Sequence, residues 1–334
     1  MAVAAKIQAA VARAQQESIQ NEAVWQNDDA KQGKNEFLFF MKPELTIADQ
    51  GVDLDKVIDL TLSKIKEFGL QIKNIRVLSA AYLAEHNIIA QHYGVINAIA
   101  KDAHSMSDGA KATFKEKFGQ DLSEANVLGG IEMLEKYPVF NPTSLDFLVQ
   151  NCPFTKLAGG TYAVTAKLDA DKAYIINGFH PRQLEHFTEK GRSIVVFTLT
   201  GDIDWETARE NFIGATNPEK AEAGSLRRTF LERKDELGLA EVSQGSNGVH
   251  LSAGPVEGLI ELMRYNSDFG TTGGQKTYKD FQFGQQLAQK LSEEQIQRVL
   301  KNDDLDVDGR KESIFDLTEL KNSDEAVSFL HESL

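Results

Sequence analysis

A strand, helix, strand unit near the front of the chain most constrains the fold. "EFLFFMKPELT" (36–46) is a short aromatic-rich strand signal closed by Lys42 and Pro43. "DLDKVIDLTLSKIKEF" (53–68) has the spacing of an amphipathic helix, and after Gly69 "LQIKNIRVLSA" again reads as a strand. A helical stretch over about 81–99 follows, containing "AEHNIIAQHYGVI". Later, "RSIVVFTLTG" is a strong strand and "DIDWETARENFIG" a helix that ends at Gly214. This alternation, ending in helices, favours an α+β sandwich: a sheet with helices on one face.

The rest of the chain divides around that core. Residues 1–34 read as a helical N-terminal extension: they are alanine-rich, lack a signal peptide's apolar block, and carry Glu17 and Glu22, which suit a transit peptide poorly. Residues 101–178 read as a mostly helical insertion, with helices around "GAKATFKEKFG" and "LSEANVLGGIEMLEKY" and a hairpin in "GGTYAVTAKLDADKAYIING". Glycine-rich "FGTTGGQ" marks a boundary near 266, beyond which helices are expected near 285–300 and 323–332. The core then comprises 35–100 and 179–265, and 266–334 is a helical C-terminal extension.

The 334 residues suffice for one large core or two modest ones. A balance of 36 basic against 50 acidic residues gives a formal charge of -14, which opposes general adhesion to nucleic acid or anionic membranes. No run approaches the roughly 18 apolar residues that span a bilayer. Cys152 is the only cysteine, so no intramolecular disulfide forms, and a reducing, cytoplasmic setting is expected.

"SNGVHLSAGPVEGLIELMRY" (246–265) places His250 just ahead of a helix start. Pro255 suits the first helical turn, and Val256, Leu259, Ile260 and Met263 form one apolar face. Glu257 and Glu261, four apart, lie on a neighbouring face, from which a carboxylate can reach back to the imidazole. Such a partner fixes the tautomer and raises nucleophilicity. Taken alone, these residues read better as a loop histidine with a satisfied hydrogen bond and two glutamates on a solvated helix surface.

Four separated blocks, in order and covering about half of the chain, resemble the nucleoside diphosphate kinase family. "FLFFMKPELT" is similar to its first strand and Lys-Pro pair, and "EFGLQIKNIRVLSAAYLAEHNIIAQHY" to its first helix, second strand and His-Tyr helix. "IVVFTLTG" resembles the strand before its arginine helix, "IGATNPEKAEAGSLRRTF" is the most family-like segment, and "SNGVH" with Ser252 is similar to the segment of the phosphorylated histidine. The resemblance implies a ferredoxin-like α/β sandwich with an antiparallel sheet, and transfer of phosphate from a nucleoside triphosphate to a histidine and then to a nucleoside diphosphate. It makes His250 the nucleophile, Glu261 its orienting carboxylate and Ser252 the support of that carboxylate. Lys42 matches the γ-phosphate lysine, Tyr93 the tyrosine near it, Thr216 and Arg227 the β-phosphate contacts, and Asn247 the sugar contact. A homo-oligomer is implied, with Mg²⁺ arriving on the nucleotide, held by phosphate oxygens and water.

The chemistry asks for the same residue types. A phosphoryl group in transfer spreads negative charge over its oxygens, so cations such as Lys42 and Arg227 are required, and neutral imidazole is a competent nucleophile near neutrality.

Three departures accompany the resemblance. The family's arginine four residues before the "G-x-T-N-P" glycine falls on Glu210, with Arg209 one residue earlier, so either the helix carries an extra residue and Arg209 serves, or a contact is missing. The base-stacking phenylalanine is displaced by the insertion, leaving Phe179 as a substitute, and the loop between Phe230 and Asn247 is long. These keep two alternatives open: a non-catalytic nucleotide-binding or scaffolding protein, and a phosphohistidine protein that serves a protein partner docked on the insertion. In the tail, "DLDVDGRKESIF" starts like a calcium loop at Asp304, Asp306, Asp308 and Gly309, but Phe315 stands where the bidentate glutamate belongs, so an acidic turn is expected.

Overall fold

A computed structural model describes residues 3–16, 19–47, 51–168, 171–307 and 309–334. Glu17 and Asp308 fall outside these. The chain divides into two compact units, one formed by Met1–His86 with Lys190–Leu334 and the other by Asn87–Glu189.

The first unit opens with helix α1 (Val3–Gln16), which buries Ile7, Ala10, Val11 and Ala14 at helical spacing. Strand β1 (Asn21–Gln26) follows, then β2 (Asn35–Met41), buried along its whole length. Helix α2 (Leu54–Glu67) begins where the Asp53 carboxylate accepts from the Lys56 N–H, and ends with Lys64 and Lys66 in its last turn, both favourable to the helix dipole. Strand β3 (Gln71–Ser79) runs into helix α3 (Ala80–Glu85), capped by the Ser79 hydroxyl.

The second unit contains helices α4 (Ile88–His92), α5 (Gly94–Lys101) and α6 (Asp108–Phe118), strand β4 (Val127–Gly129), and helices α7 (Gly130–Lys136) and α8 (Pro142–Gln150). Strands β5 (Thr155–Ala158), β6 (Thr161–Leu168) and β7 (Asp171–Ile176) and helix α9 (His180–Thr188) complete it. Its sheet has the order β4-β7-β6-β5, with β4 parallel to β7 and the other pairs antiparallel. Alternate residues serve two cores. Ala163, Tyr174 and Ile176 pack with Phe114 of α6, whereas Val164, Ala166, Ala173 and Ile175 pack with Met133, Leu145 and Val149. A sheet thus lies at the heart of the stretch expected to be mostly helical. The segment 122–137, expected as one helix, begins its helix only at Gly130, because 127–129 is held as a strand by distant β7. Gly129 is needed there, since a Cβ would lie 2.3 Å from the Ala100 carbonyl oxygen.

The chain re-enters the first unit with β8 (Ser193–Gly201), buried throughout, and α10 (Trp205–Thr207), which continues as a π turn over Ala208–Ile213. Helix α11 (Leu226–Glu232), strand β9 (Val249–Leu251) and helix α12 (Pro255–Asn266) follow. The remainder is α13 (Gln282–Lys290), α14 (Glu293–Leu300), the hairpin β10 (Asp304–Val307) and β11 (Arg310–Ser313), α15 (Ile314–Thr318) and α16 (Ser323–Ser333). The single helix expected near 285–300 is interrupted at Leu291, and Ser292 caps the new start.

The main sheet is antiparallel throughout, in the order β1-β3-β8-β2-β9. The region expected to be a helical extension therefore also supplies an edge strand, β1. Phe37, Phe39 and Met41 share a core with α1, α2, Phe212 and Phe230. Phe40 points to the opposite face, where its ring meets Tyr265 of α12 at 5.3 Å. Helices cover both faces rather than one, as the all-apolar runs of β2 and β8 require. Among the described residues, no helix is long and apolar enough to cross a membrane.

Candidate active site

His250 is the middle residue of β9 and pairs with Phe40 of β2, on whose ring the imidazole stacks at 4.6 Å. The strand is short because Gly248 enters it at φ +82° and the turn Ser252–Gly254 leaves it for α12. That turn brings Glu261 back over the ring. His250 Nε2 lies 2.9 Å from Glu261 Oε2, and the Ser252 hydroxyl donates to the same oxygen. An ionised carboxylate only accepts, so the imidazole proton resides on Nε2 and the lone pair on Nδ1. The His250 side chain is 17% accessible and that of Glu261 only 3%, which separates an approachable ring from a buried orienting group.

Glu257, one turn earlier on α12, accepts from the Ala253 N–H. Burial first, and then the negative charge of Glu261, push its carboxyl up to about 7.

Cations gather along the same strands. The Lys42 N–H donates to the Gly248 carbonyl at 2.8 Å, which extends the β2–β9 ladder and sets Lys42 on the same face as Phe40 and His250. Its ammonium donates to Asn247 Oδ1 at 2.8 Å, and the Asn247 amide donates to the carbonyls of Thr216, 3.1 Å, and Gln244, 3.0 Å. Burial lowers the Lys42 ammonium to about 8, with Glu44 opposing the shift and the nearby Arg227 charge adding to it. The buried Arg227 donates from Nη1 to the Gly214 carbonyl and from Nη2 to that of Val249, at 2.8 and 2.9 Å. Gly214 is confined to glycine: its φ is +88°, and a Cβ would fall 2.4 Å from Ser225 Oγ. Thr216 is exposed.

A π turn holds one more residue per turn than an α-helix. Over Ala208–Ile213 it aims Arg209 at β9, where Nη1 donates to the Leu251 carbonyl at 2.7 Å, and leaves Glu210 exposed. His250, Glu261, Ser252, Lys42, Asn247, Thr216, Arg227 and Arg209 are thus brought to one end of one sheet. Tyr93 and Phe179 belong to the second unit, Tyr93 beside His180 and Phe187, and Phe179 beside Tyr162 and Phe154.

Two contributors were missed in the sequence. Glu44 accepts from the Gly248 N–H at 2.8 Å, and its only signal was its place two residues after Lys42. Glu319 approaches Glu257 electrostatically because the segment after α15 packs on the β9–α12 turn, where the Leu320 N–H donates to the Ala253 carbonyl at 3.1 Å. No local signal could have found it.

The class defined so far is an α+β protein with a histidine–carboxylate pair and neighbouring cations. No protein-family model and no curated protein matches the chain. Among solved structures it is similar to a nucleoside diphosphate kinase from Encephalitozoon cuniculi in its cubic apo form, at 13% identity and TM-score 0.34, over 73% of this chain and 93% of that one. It is also similar to an NDP kinase from Pyrobaculum aerophilum, at 16% identity and TM-score 0.32, over 71% of this chain and 97% of that one. Likeness this weak assigns no activity.

Proposed function

We propose that the protein is a phosphotransferase that moves the γ-phosphoryl group of a nucleoside triphosphate to a nucleoside diphosphate through phosphorylated His250. The observation that carries this reading is the accessible imidazole whose Nε2–H is held by buried Glu261, itself held by Ser252. In the first half, the Nδ1 lone pair attacks the γ-phosphorus and the bond to the bridging oxygen breaks, so the nucleoside diphosphate leaves with that electron pair. Glu261 balances the positive charge that develops on the ring. In the second half, a terminal oxygen of another nucleoside diphosphate attacks the same phosphorus and the P–N bond returns its pair to Nδ1.

Lys42 and Arg227 supply positive charge beside the phosphates, and Arg209, Thr216 and Asn247 supply further polar contacts. Mg²⁺ would enter on the nucleotide, coordinated by phosphate oxygens and water, because it dehydrates reluctantly. The order of β2, β3, β8 and β9 across the sheet is that of a ferredoxin-like sandwich, which supports the same reading. The homo-oligomer and the cytoplasmic setting belong to the proposal as well.

One observation favours a second reading, a nucleotide-binding or scaffolding protein without transfer: the Arg227 guanidinium is buried and holds two backbone carbonyls. Incubation with Mg²⁺ and γ-labelled ATP separates the two. Acid-labile, base-stable label that is absent in His250→Ala and leaves on GDP as GTP is the expected outcome; ATP bound without label would establish the second reading.

A further inference from the structure

We propose that Glu257 is a positioning residue for the His250–Glu261 pair, acting as the proton-holding member of a carboxylate cluster that links this pair to the chain segment around Glu319. The inference rests on the reading of His250 as the reacting group. The Ser252 N–H donates to the Leu38 carbonyl at 3.3 Å and the Ser252 hydroxyl donates to Glu261. The Ala253 N–H donates to Glu257, and the Ala253 carbonyl accepts from Leu320. Gly254 passes so close to the Thr318 carbonyl that a Cβ there would lie 2.7 Å from its oxygen. Glu257 therefore ties α12 to the turn that carries Ser252, beside the Ser252–Glu261 bond, and the C-terminal segment closes over the same turn.

Charge then decides the protonation. Glu261 faces Glu257 from its own helix, Arg209 from the π turn and Glu319 from the segment after α15, while His250 reaches it through Glu261 from β9. Glu257 and buried Glu261 stand one turn apart with Arg209 as the nearby cation and exposed Glu319 adding a weaker negative charge, so the two helix carboxylates cannot both be ionised cheaply and one of them retains a proton. Glu257 is suited to do so: burial and Glu261 already push it up to about 7. While Glu257 is neutral, Glu261 stays ionised and fixes the Nε2–H tautomer. Once Glu257 ionises, a second negative charge stands beside the ring, favours imidazolium over the nucleophilic neutral form and repels an incoming phosphate.

The test compares the full-length protein with Glu257→Gln, which keeps an oxygen for the Ala253 N–H and cannot ionise. In ring-nitrogen NMR of His250 against pH, the wild type is expected to show an inflection near 7, besides that of the ring itself, that disappears in the variant. Identical curves would overturn the inference. In the labelling assay, the alkaline limb is expected to move from about 7 to about 8, where Lys42 loses its proton. Absence of label in the wild type would defeat the phosphotransfer reading while the NMR comparison still decides the role of Glu257; label with superimposable pH profiles would defeat the role of Glu257 alone. Should Glu257→Gln not fold, Glu319→Gln serves: it removes one crowding charge and should lower the wild-type inflection, and an unmoved inflection would count against the proposal.

Discussion

A carboxyl that holds its proton into the neutral range reports on stability as well as on chemistry. Glu257 titrates at about 7 in the folded protein against an ordinary value of 4.5. Between those values the folded state carries a proton that the unfolded chain has released, so stability falls as pH rises through that window. Glu257→Gln removes this loss. Below 4.5 the two proteins should unfold at matching urea concentrations, apart from the constant effect of the amide, whereas above 7 the variant should gain roughly 1–3 kcal/mol over the wild type. Equal pH dependence of the two unfolding curves would contradict the shift. Lys42 has the opposite sign: its lowered value, about 8 against 10.5, makes stability rise with pH across that interval. At this scale the local order of His250, Ser252 and Glu261 was legible in the sequence, because one strand and one turn of chain bring them together, whereas Lys42 meets them through the pairing of β2 with β9. The sequence was silent on Glu319, which is 62 residues from Glu257 and arrives only by packing.

Elements add what residues cannot. The π turn over Ala208–Ile213 places Arg209 on β9 and leaves Glu210 exposed. The C-terminal helices are fastened to β2 by polar side chains at its start. The buried Asn35 amide donates to the carbonyl of Ile203 and to Asn322 Oδ1, at 2.9 and 2.8 Å, and its own oxygen accepts from the N–H and hydroxyl of Ser323. Next to it, Glu36 accepts from the Gln282 N–H at the start of α13. Replacing Asn35 by Ala leaves several buried groups without partners and is expected to cost roughly 2–4 kcal/mol, measured by urea unfolding. A loss within about 0.5 kcal/mol would mean that the C-terminal segment is held elsewhere. Strand β1 escaped the sequence reading for a related reason: "NEAVWQ" carries a weak strand pattern, and its backbone partners come from β3.

At the scale of the whole molecule, the second unit has the attributes of a body that folds by itself. Its sheet is covered on both faces by two apolar clusters made from its own residues. A fragment spanning 87–189 is expected to unfold in one cooperative urea transition, and a gradual, non-cooperative change of its circular dichroism would contradict that.

The sequence by itself determined the strongly periodic elements, β2, α2, β3, β8 and α12, together with the local order Gly248, His250, Ser252, Glu261. Periodicity records which side of an element is buried, and that is settled within a few residues. Only the tertiary structure decided that β1 joins the sheet, that helices cover both its faces, that 127–129 is a strand, and that Arg209, Arg227 and Glu319 reach the histidine's surroundings. Those outcomes depend on partners tens to hundreds of residues away, whose pairing is fixed by complementary surfaces and backbone hydrogen bonds that no local pattern encodes.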